Sequence, residues 1–420
     1  MRRLRELRRT TPGRLRLIRA FLVTLTLLTG LFAGITAASA RAGTDDLADR
    51  AQPLLIEAET VWSALADADT TAAQAFLAGG LEPAAMTSRY EQDLDRAAAA
   101  LTSAARRTPE DSAAGQAVQQ LSTGLTQYSA LVASARANNR QGLPVGASYL
   151  STASELNRTT LQPQAEDLLR AAQSEVDHGY SAARSSGWTT VLTLLLLGLL
   201  LALVATQIHL SRITRRTFNV RLLAATGVAA VLGLSVLAAV GAQRGHLSDA
   251  DDEGSRPVAM LAQARTLALN ERSYESLTLV ARAGDDTNQR DFGRASAELT
   301  TLLDQIADEV AGTRAEKPVR AALQQHKAYL GVHEKVRQLD KSGDYAGAVK
   351  LAVGTDATKT FEGMTDNLGA ALENRKDVFG QESGVAGRGL GSLSVAGPLL
   401  ALVVCGLAVA GLRARLEEYR

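Results

Sequence analysis

The chain has 420 residues, a formal net charge of +1 and a hydrophobic fraction of 46%, but these averages hide a strong segregation along the sequence. Apolar residues collect in four blocks, and nearly all of the charge lies between them. The single cysteine, Cys405, excludes an intrachain disulfide, so any domain outside the cytoplasm must be held together by packing alone. Abundant alanine and leucine, with only 4% aromatic residues, favour helices over sheets.

Each of the four apolar blocks is long enough to cross a membrane, which takes roughly 20 residues. The blocks cover residues 20–40, 188–210, 222–242 and 390–412, and none contains Asp, Glu, Lys or Arg. We therefore predict four transmembrane helices, because soluble helices rarely run this far without a charge. The first block also resembles a cleavable secretory signal, since a basic leader precedes it and Ala38-Ser39-Ala40 ends it, but its length favours an uncleaved anchor.

The charges that flank the blocks predict the orientation of the chain in the membrane. Residues 1–19, 211–221 and 413–420 together carry 15 basic residues against 3 acidic ones. Residues 41–187 carry 11 basic and 18 acidic residues, and residues 243–389 carry 19 and 23. Positive residues are retained in the cytoplasm. We therefore expect a multi-pass plasma-membrane protein with both termini in the cytoplasm and both long stretches outside it.

The two long stretches are predicted to be copies of one unit. The first and third blocks begin 202 residues apart, as do the second and fourth, and Tyr128 and Gly142 reappear as Tyr329 and Gly343 at nearly the same offset. Apolar residues in both stretches recur at helical spacings, and no segment alternates like a strand. The predicted fold is an all-α membrane protein with two tandem extracytoplasmic four-helix bundles on four transmembrane helices.

No motif for catalysis, metal binding or cofactor binding is present, so we expect neither an enzyme nor a cofactor. The five histidines are predicted to be surface residues. Only His326 and His333 share a helix face, about 10 Å apart along the axis, which is too far to hold one ion without further ligands. Transport is disfavoured because the blocks contain no Asp, Glu, Lys or Arg.

Four charged residues of the second long stretch lie on or beside an apolar helical stripe: Arg265, Glu271, Arg272 and Glu275. Guanidinium groups clamp carboxylates, so one interpretation makes these residues contacts for a ligand or a partner. The favoured alternative pairs the arginines with neighbouring acids at the edge of the bundle.

Two further groups have both a structural and a functional interpretation. On the cytoplasmic face, Arg212, Arg215 and Arg216 are expected to contact anionic lipids of the bilayer, and docking of a cytosolic partner is a second possible role. Within the first block, Gly30 and Gly34 form a small-xxx-small pair that is typical of close helix packing, with exposure to lipid as the alternative.

The stretch from Tyr329 through the Gly343-Asp344 break to Leu368 resembles the latter half of the four-helix-bundle sensor domains of chemotaxis receptors. The whole plan of four spans and two tandem bundles resembles the actinobacterial GlnX-type membrane transducers. This resemblance implies amino-acid sensing, in which an extracytoplasmic solute-binding lipoprotein docks on the bundles and the signal passes to a cytosolic Ser/Thr kinase. A passive membrane scaffold or tether for a cell-envelope complex is the alternative, and no nucleic-acid partner is expected.

Overall fold

The computed structural model describes residues 11–79, 82–184, 187–214, 219–281, 287–386 and 388–417. Every regular element in these ranges is a helix. The α-helices are α1 (Thr11–Asp46), α2 (Gln52–Leu77), α3 (Ala84–Ala105), α4 (Ala113–Arg140), α5 (Val145–Leu156), α6 (Gln162–Arg184), α7 (Gly187–Thr214), α8 (Val220–Ala250), α9 (Arg256–Val280), α10 (Thr287–Glu309), α11 (Glu316–Lys341), α12 (Tyr345–Ala352), α13 (Thr355–Ala386) and α14 (Arg388–Glu417). The helical content confirms the predicted all-α class.

The chain divides into two compact units. One contains residues 1–48, 178–248 and 382–420, and we call it the membrane unit. The other contains residues 49–177 and 249–381, and we call it the polar unit. The polar unit thus combines most of both long stretches that separate the apolar blocks.

Among the described residues, four helical segments are long and apolar enough to cross a membrane, and each overlaps one of the four blocks predicted from the sequence. Large apolar side chains remain exposed on each of α1, α7, α8 and α14, for example Phe21, Leu194, Leu234 and Val395 at 60–68% exposure. Exposed apolar surface of this extent marks a face that contacts something other than water. The protein is therefore an all-α membrane protein with four candidate spans.

Helices α1 and α14 pack closely within the membrane unit because small residues meet at their contact. A Cβ atom built on Gly30 would come within 2.6 Å of the Cβ of Ala401, and one built on Gly34 would lie 3.3 Å from Cγ of Pro398. Side chains larger than hydrogen do not fit at Gly30 without movement of the neighbouring helix. The close-packing interpretation of the Gly30–Gly34 pair is therefore correct.

Three π-helical turns interrupt the helices, and each is followed by a proline at the second position of the next α-helix. The turns are Leu47–Ala51, Asn157–Leu161 and Asp251–Ser255, and the prolines are Pro53, Pro163 and Pro257. Proline lacks the N–H of the helical hydrogen bond, and its ring clashes with the carbonyl four residues earlier. A wider turn at that point relieves the clash and lets the helix continue.

Within the polar unit, α2 and α9 lie side by side and run parallel. Arg265 of α9 contacts Asp67 of α2. Further along both helices, the hydroxyl of Thr70 donates to the carbonyl of Leu269 at 2.8 Å, so the residue numbers of the two helices increase in the same direction. Around this pair, apolar stripes on the other helices form the core, including Leu299, Leu302, Leu303 and Ile306 on α10, all of which are buried.

Glycines in the left-handed conformation end two of the long helices of the polar unit. Gly142 follows α4 with φ 68°, and Gly343 follows α11 with φ 87°. This conformation is strained for residues with a Cβ and is the usual one at the position just beyond a helix C-terminus. The chain then re-enters a short helix after each, at Val145 and Tyr345.

Candidate functional site

The contact between α2 and α9 is unusually polar for a buried helix pair. Its centre is Asp69, which is 3% exposed and accepts hydrogen bonds from the hydroxyls of Ser273 at 2.6 Å, Ser154 at 2.7 Å and Tyr128 at 3.4 Å. Ser154 and Tyr128 lie on α5 and α4, whereas Ser273 lies on α9. One carboxylate therefore joins the helices of residues 49–177 to the first helix of residues 249–381.

A second polar group lies two residues earlier on α2, where Arg265 of α9 and Arg96 of α3 both meet the carboxylate of Asp67. The guanidinium of Arg265 lies 2.7 Å from Asp67, whose side chain is 2% exposed, and Arg96 bridges Asp67 and Asp93. Burial of Asp93, together with the neighbouring charge of Asp67, raises its pKa to about 6, in spite of the contact with Arg96. Asp93 therefore changes its charge near neutral pH.

The remaining candidate residues of α9 form a cluster with α11 inside the polar unit. His326 and Glu271 are each fully buried, and Nε2 of the histidine donates to Glu271 Oε1 at 2.9 Å. Tyr329, one turn further along α11, donates its hydroxyl to Glu275 at 3.0 Å. His333, on the next turn, donates from Nδ1 to the other oxygen of Glu275 at 2.8 Å.

Arg272 supplies the positive charge of this cluster. Its side chain is 2% exposed, lies 2.6 Å from Glu275 and donates to the carbonyl of Ala352 at 2.7 Å. The guanidinium also lies over the rings of Tyr329 and Phe361, at 5.7 Å and 5.6 Å from their centroids. Hydrogen bonds and cation–π contacts thus replace part of the water that this group loses on burial, while its Nε is left without a hydrogen-bond partner among the described residues.

The charges in the cluster stabilise one another. Burial alone would raise the pKa of Glu275, but the hydrogen bond from His333 and the charge of Arg272 outweigh it, and the pKa lies below the usual value. Burial would likewise lower the pKa of Arg272, but Tyr329 and Glu275 raise it above the usual value. Glu275 and Arg272 are therefore an ionised pair in the folded protein.

Two expectations from the sequence are wrong for this cluster. His326 and His333 are 0% and 5% exposed, so they are not surface residues. Each contacts a different glutamate of α9: His326 contacts Glu271, and His333 contacts Glu275. Arg272 does pair with a neighbouring acid, as the favoured interpretation held, but it lies in the core and not at the edge of the bundle.

Sequence reasoning missed the acids of α2, although a signal was present. Asp67 and Asp69 stand in a run with Ala64, Ala66, Ala68 and Ala72. When alanines flank charged residues on every face of a helix, the helix has no separate polar face that could lie against water. Such a pattern indicates buried carboxylates with partners on other helices.

Of the cytoplasmic candidates, Arg212 is exposed in the last turn of α7. Arg215 and Arg216 lie outside the described residues. The positive charge at the end of α7 is favourably placed for the helix dipole, whose negative end lies there.

The comparisons with known proteins point to sensing. Residues 43–181, which include α2 to α5 and most of α6, match the family model described as an actinobacterial sensor domain. This similarity covers about a third of the chain and supports an actinobacterial sensor protein. No curated protein and no solved structure matches the chain.

Proposed function

We propose that this protein is a non-enzymatic sensor that passes a signal across the membrane. The observation that carries the proposal is the match of residues 43–181 to a sensor domain, since α1 and α7, which flank this stretch, are candidate membrane spans. The arginine-rich segments 1–19, 211–221 and 413–420 support a cytoplasmic location for both termini and the short loop, and therefore an extracytoplasmic polar unit.

The second long stretch is proposed to be a copy of the first, so that one chain supplies both halves of a sensor dimer. The parallel packing of α2 and α9, the corresponding first helices of the two stretches, supports this duplication. So do the π-helical turns Leu47–Ala51 and Asp251–Ser255, which precede α2 and α9 respectively. In a symmetric dimer, the first helices of the two copies are expected to pack side by side at the two-fold axis, as α2 and α9 do.

A docked partner transmits a signal only if it binds two arrangements of the polar unit with different affinity. The buried contacts of Asp67 with Arg265 and of Asp69 with Ser273 specify one register of α2 against α9. A second register would break both contacts together, so the pair is suited to two discrete arrangements. Shifts of an ångström or two between packed helices are typical of such transitions.

The proposed partners follow from the GlnX-type resemblance: an amino-acid-binding lipoprotein outside and a Ser/Thr kinase in the cytosol. Glu271, Arg272 and Glu275 are at most 2% exposed, so a docked protein reaches them only if the polar unit opens. Arg265, at 16% side-chain exposure, is the most accessible of the four candidates. Their role as partner contacts stays a prediction.

Co-purification tests the proposed relay against the scaffold alternative. The tagged full chain, extracted from its native membrane in mild detergent, is expected to retain both an extracytoplasmic binding protein and a cytosolic kinase. Recovery of an envelope partner alone would contradict the relay and favour a tether.

A pair of matched variants tests whether the arginines of the short loop dock the cytosolic partner. Arg212→Gln removes one exposed charge and leaves three arginines in the loop to fix the orientation. It is expected to lower recovery of the cytosolic partner only, whereas Arg320→Gln, which changes an exposed arginine of the polar unit, leaves that recovery unchanged. Equal recovery with both variants would contradict the docking role.

A further inference from the structure

A cleft of about 400 Å³ opens in the polar unit between α6 and α9. Its lining includes residues from both long stretches: Trp62 on α2, Arg158 in the second π-helical turn, Gln162 on α6, Thr266 and Asn270 on α9, and Glu298 on α10. Its volume lies at the lower end of the range of small-molecule sites, which is about 300–1,000 Å³. The sensor-domain match covers only one wall of this cleft, because Thr266 and Glu298 lie outside residues 43–181.

Two buried polar atoms on different walls of the cleft have no hydrogen-bond partner among the described residues. Thr266 is 2% exposed and its hydroxyl is unpartnered. Gln162 is 8% exposed; its Nε2 donates to the carbonyl of Trp62 at 3.4 Å, but its Oε1 accepts nothing. Buried polar atoms are nearly always paired. Two unpaired atoms in the lining of one cleft therefore point to a ligand that completes them.

The charges of the lining are balanced. Arg158 and Arg170 supply two positive charges, and Glu166 and Glu298 supply two negative ones. Arg170 and Glu166 pair with each other on α6 at 2.9 Å, which leaves Arg158 in the second π-helical turn and Glu298 on α10 for a ligand. Arg158 is held by Asn288 at 2.9 Å and lies over the ring of Tyr274, so the guanidinium is fixed before any ligand arrives. Guanidinium groups bind carboxylates, and carboxylates bind ammonium groups.

The lining also includes the Trp62 ring and the side chains of Met260 and Leu267, beside the polar residues Gln173, Gln263 and Asn270. We propose that this cleft binds a small zwitterion with an apolar side chain, of the size of a neutral amino acid or a dipeptide. The carboxylate lies towards Arg158, the ammonium group towards Glu298, and the apolar side chain against Trp62. The proposal goes beyond the proposed function, in which a separate protein carries the ligand, and it needs no partner protein.

Tryptophan fluorescence tests the proposal because the chain has only two tryptophans, Trp62 and Trp188. The full chain with Trp188→Phe keeps Trp62 as its one reporter. Titration with L-leucine, L-methionine and L-phenylalanine in detergent is expected to give a saturable change with at least one of them. N-acetyl-leucine, which lacks the ammonium group, and leucinamide, which lacks the carboxylate, are expected to bind about tenfold or more weakly than L-leucine. No saturable change with any of the three amino acids at millimolar concentration, or equal binding of leucine and both analogues, would overturn the proposal.

A pair of threonine variants on α9 tests the role of the unpartnered hydroxyl. Thr266→Val removes it while the shape stays nearly the same, and it is expected to weaken amino-acid binding about threefold to tenfold. The melting temperature without ligand is expected not to fall, since no protein hydrogen bond is lost. Thr278→Val, the control, removes a hydroxyl that donates to the carbonyl of Tyr274 at 2.7 Å and is expected to leave the affinity unchanged. Unchanged affinity in Thr266→Val would contradict the site. Binding is measured without any partner protein, so a failed relay leaves this result intact.

Discussion

Replacement of Arg272 with methionine tests whether the buried cluster of α9 and α11 stabilises the polar unit as an ionised pair. Methionine keeps much of the length of the side chain but leaves the Glu275 carboxylate, at 1% exposure, without its guanidinium partner. Removal of one partner of a buried ion pair costs roughly 3–5 kcal/mol. At about 2–4 °C per kcal/mol for a domain of this size, the melting temperature is expected to fall by roughly 6–20 °C.

Arg170→Met is the matched control, because Arg170 pairs with Glu166 at 2.9 Å on the surface, with side-chain exposures of 60% and 47%. Such exposed pairs contribute about 0–1 kcal/mol. Addition of Glu275→Gln to Arg272→Met removes the uncompensated charge and is expected to recover part of the loss. Thermal unfolding of the purified chain at pH 7 gives all four values. An Arg272→Met variant that loses no more than Arg170→Met would refute the reasoning.

Two other predictions concern Asp93 and the membrane unit. The pKa of Asp93 is about 6 in the folded protein against 3.8 ordinarily, so the folded state takes up a proton between about pH 6 and 4 that the unfolded state does not. The stability contributed by this group therefore rises as the pH falls from 7 to 5, by about 1 kcal/mol at 1.36 kcal/mol per pKa unit, because only about one unit of the shift lies within this range. Asp93→Asn is expected to flatten the dependence of the melting temperature on pH over this range, and a curve parallel to that of the unaltered chain would contradict the assignment. Gly30→Leu is expected to destabilise the contact of α1 with α14 by about 1–3 kcal/mol, because it overpacks that contact. Gly227→Leu, at an exposed position of α8 with no atom within 4 Å of the added Cβ, is expected to leave the melting temperature of the detergent-solubilised protein unchanged, and equal losses in the two variants would contradict the packing.

The sequence was sufficient to predict the helical class and the four candidate spans, because both depend on composition and local periodicity. It was not sufficient for the polar core. His326 and Glu271 are 55 residues apart, and the packing of α11 against α9 that buries both is a property of the tertiary fold. The same holds for Asp69, whose three donors lie 59, 85 and 204 residues away.

The small residues of the membrane unit show a similar limit. The pair Gly30 and Gly34 was compatible with either helix packing or lipid exposure, and only the position of Ala401 on α14 distinguishes the two. The cleft that carries the proposed ligand site was not predicted either. Its walls come from both long stretches, and neither stretch alone contains a recognisable motif.

The location of the polar unit outside the cytoplasm is the claim on which the proposed function depends. It is tested by a cysteine-reactive probe that cannot cross the membrane, applied to intact cells that express single-cysteine variants in a Cys405→Ala background. Tyr149→Cys and Ser342→Cys replace exposed residues of the two long stretches, and Ser211→Cys lies at the start of the short loop. The account predicts labelling of the first two in intact cells and of the third only after the cells are opened. Labelling of Ser211→Cys in intact cells, with the first two protected, would contradict it.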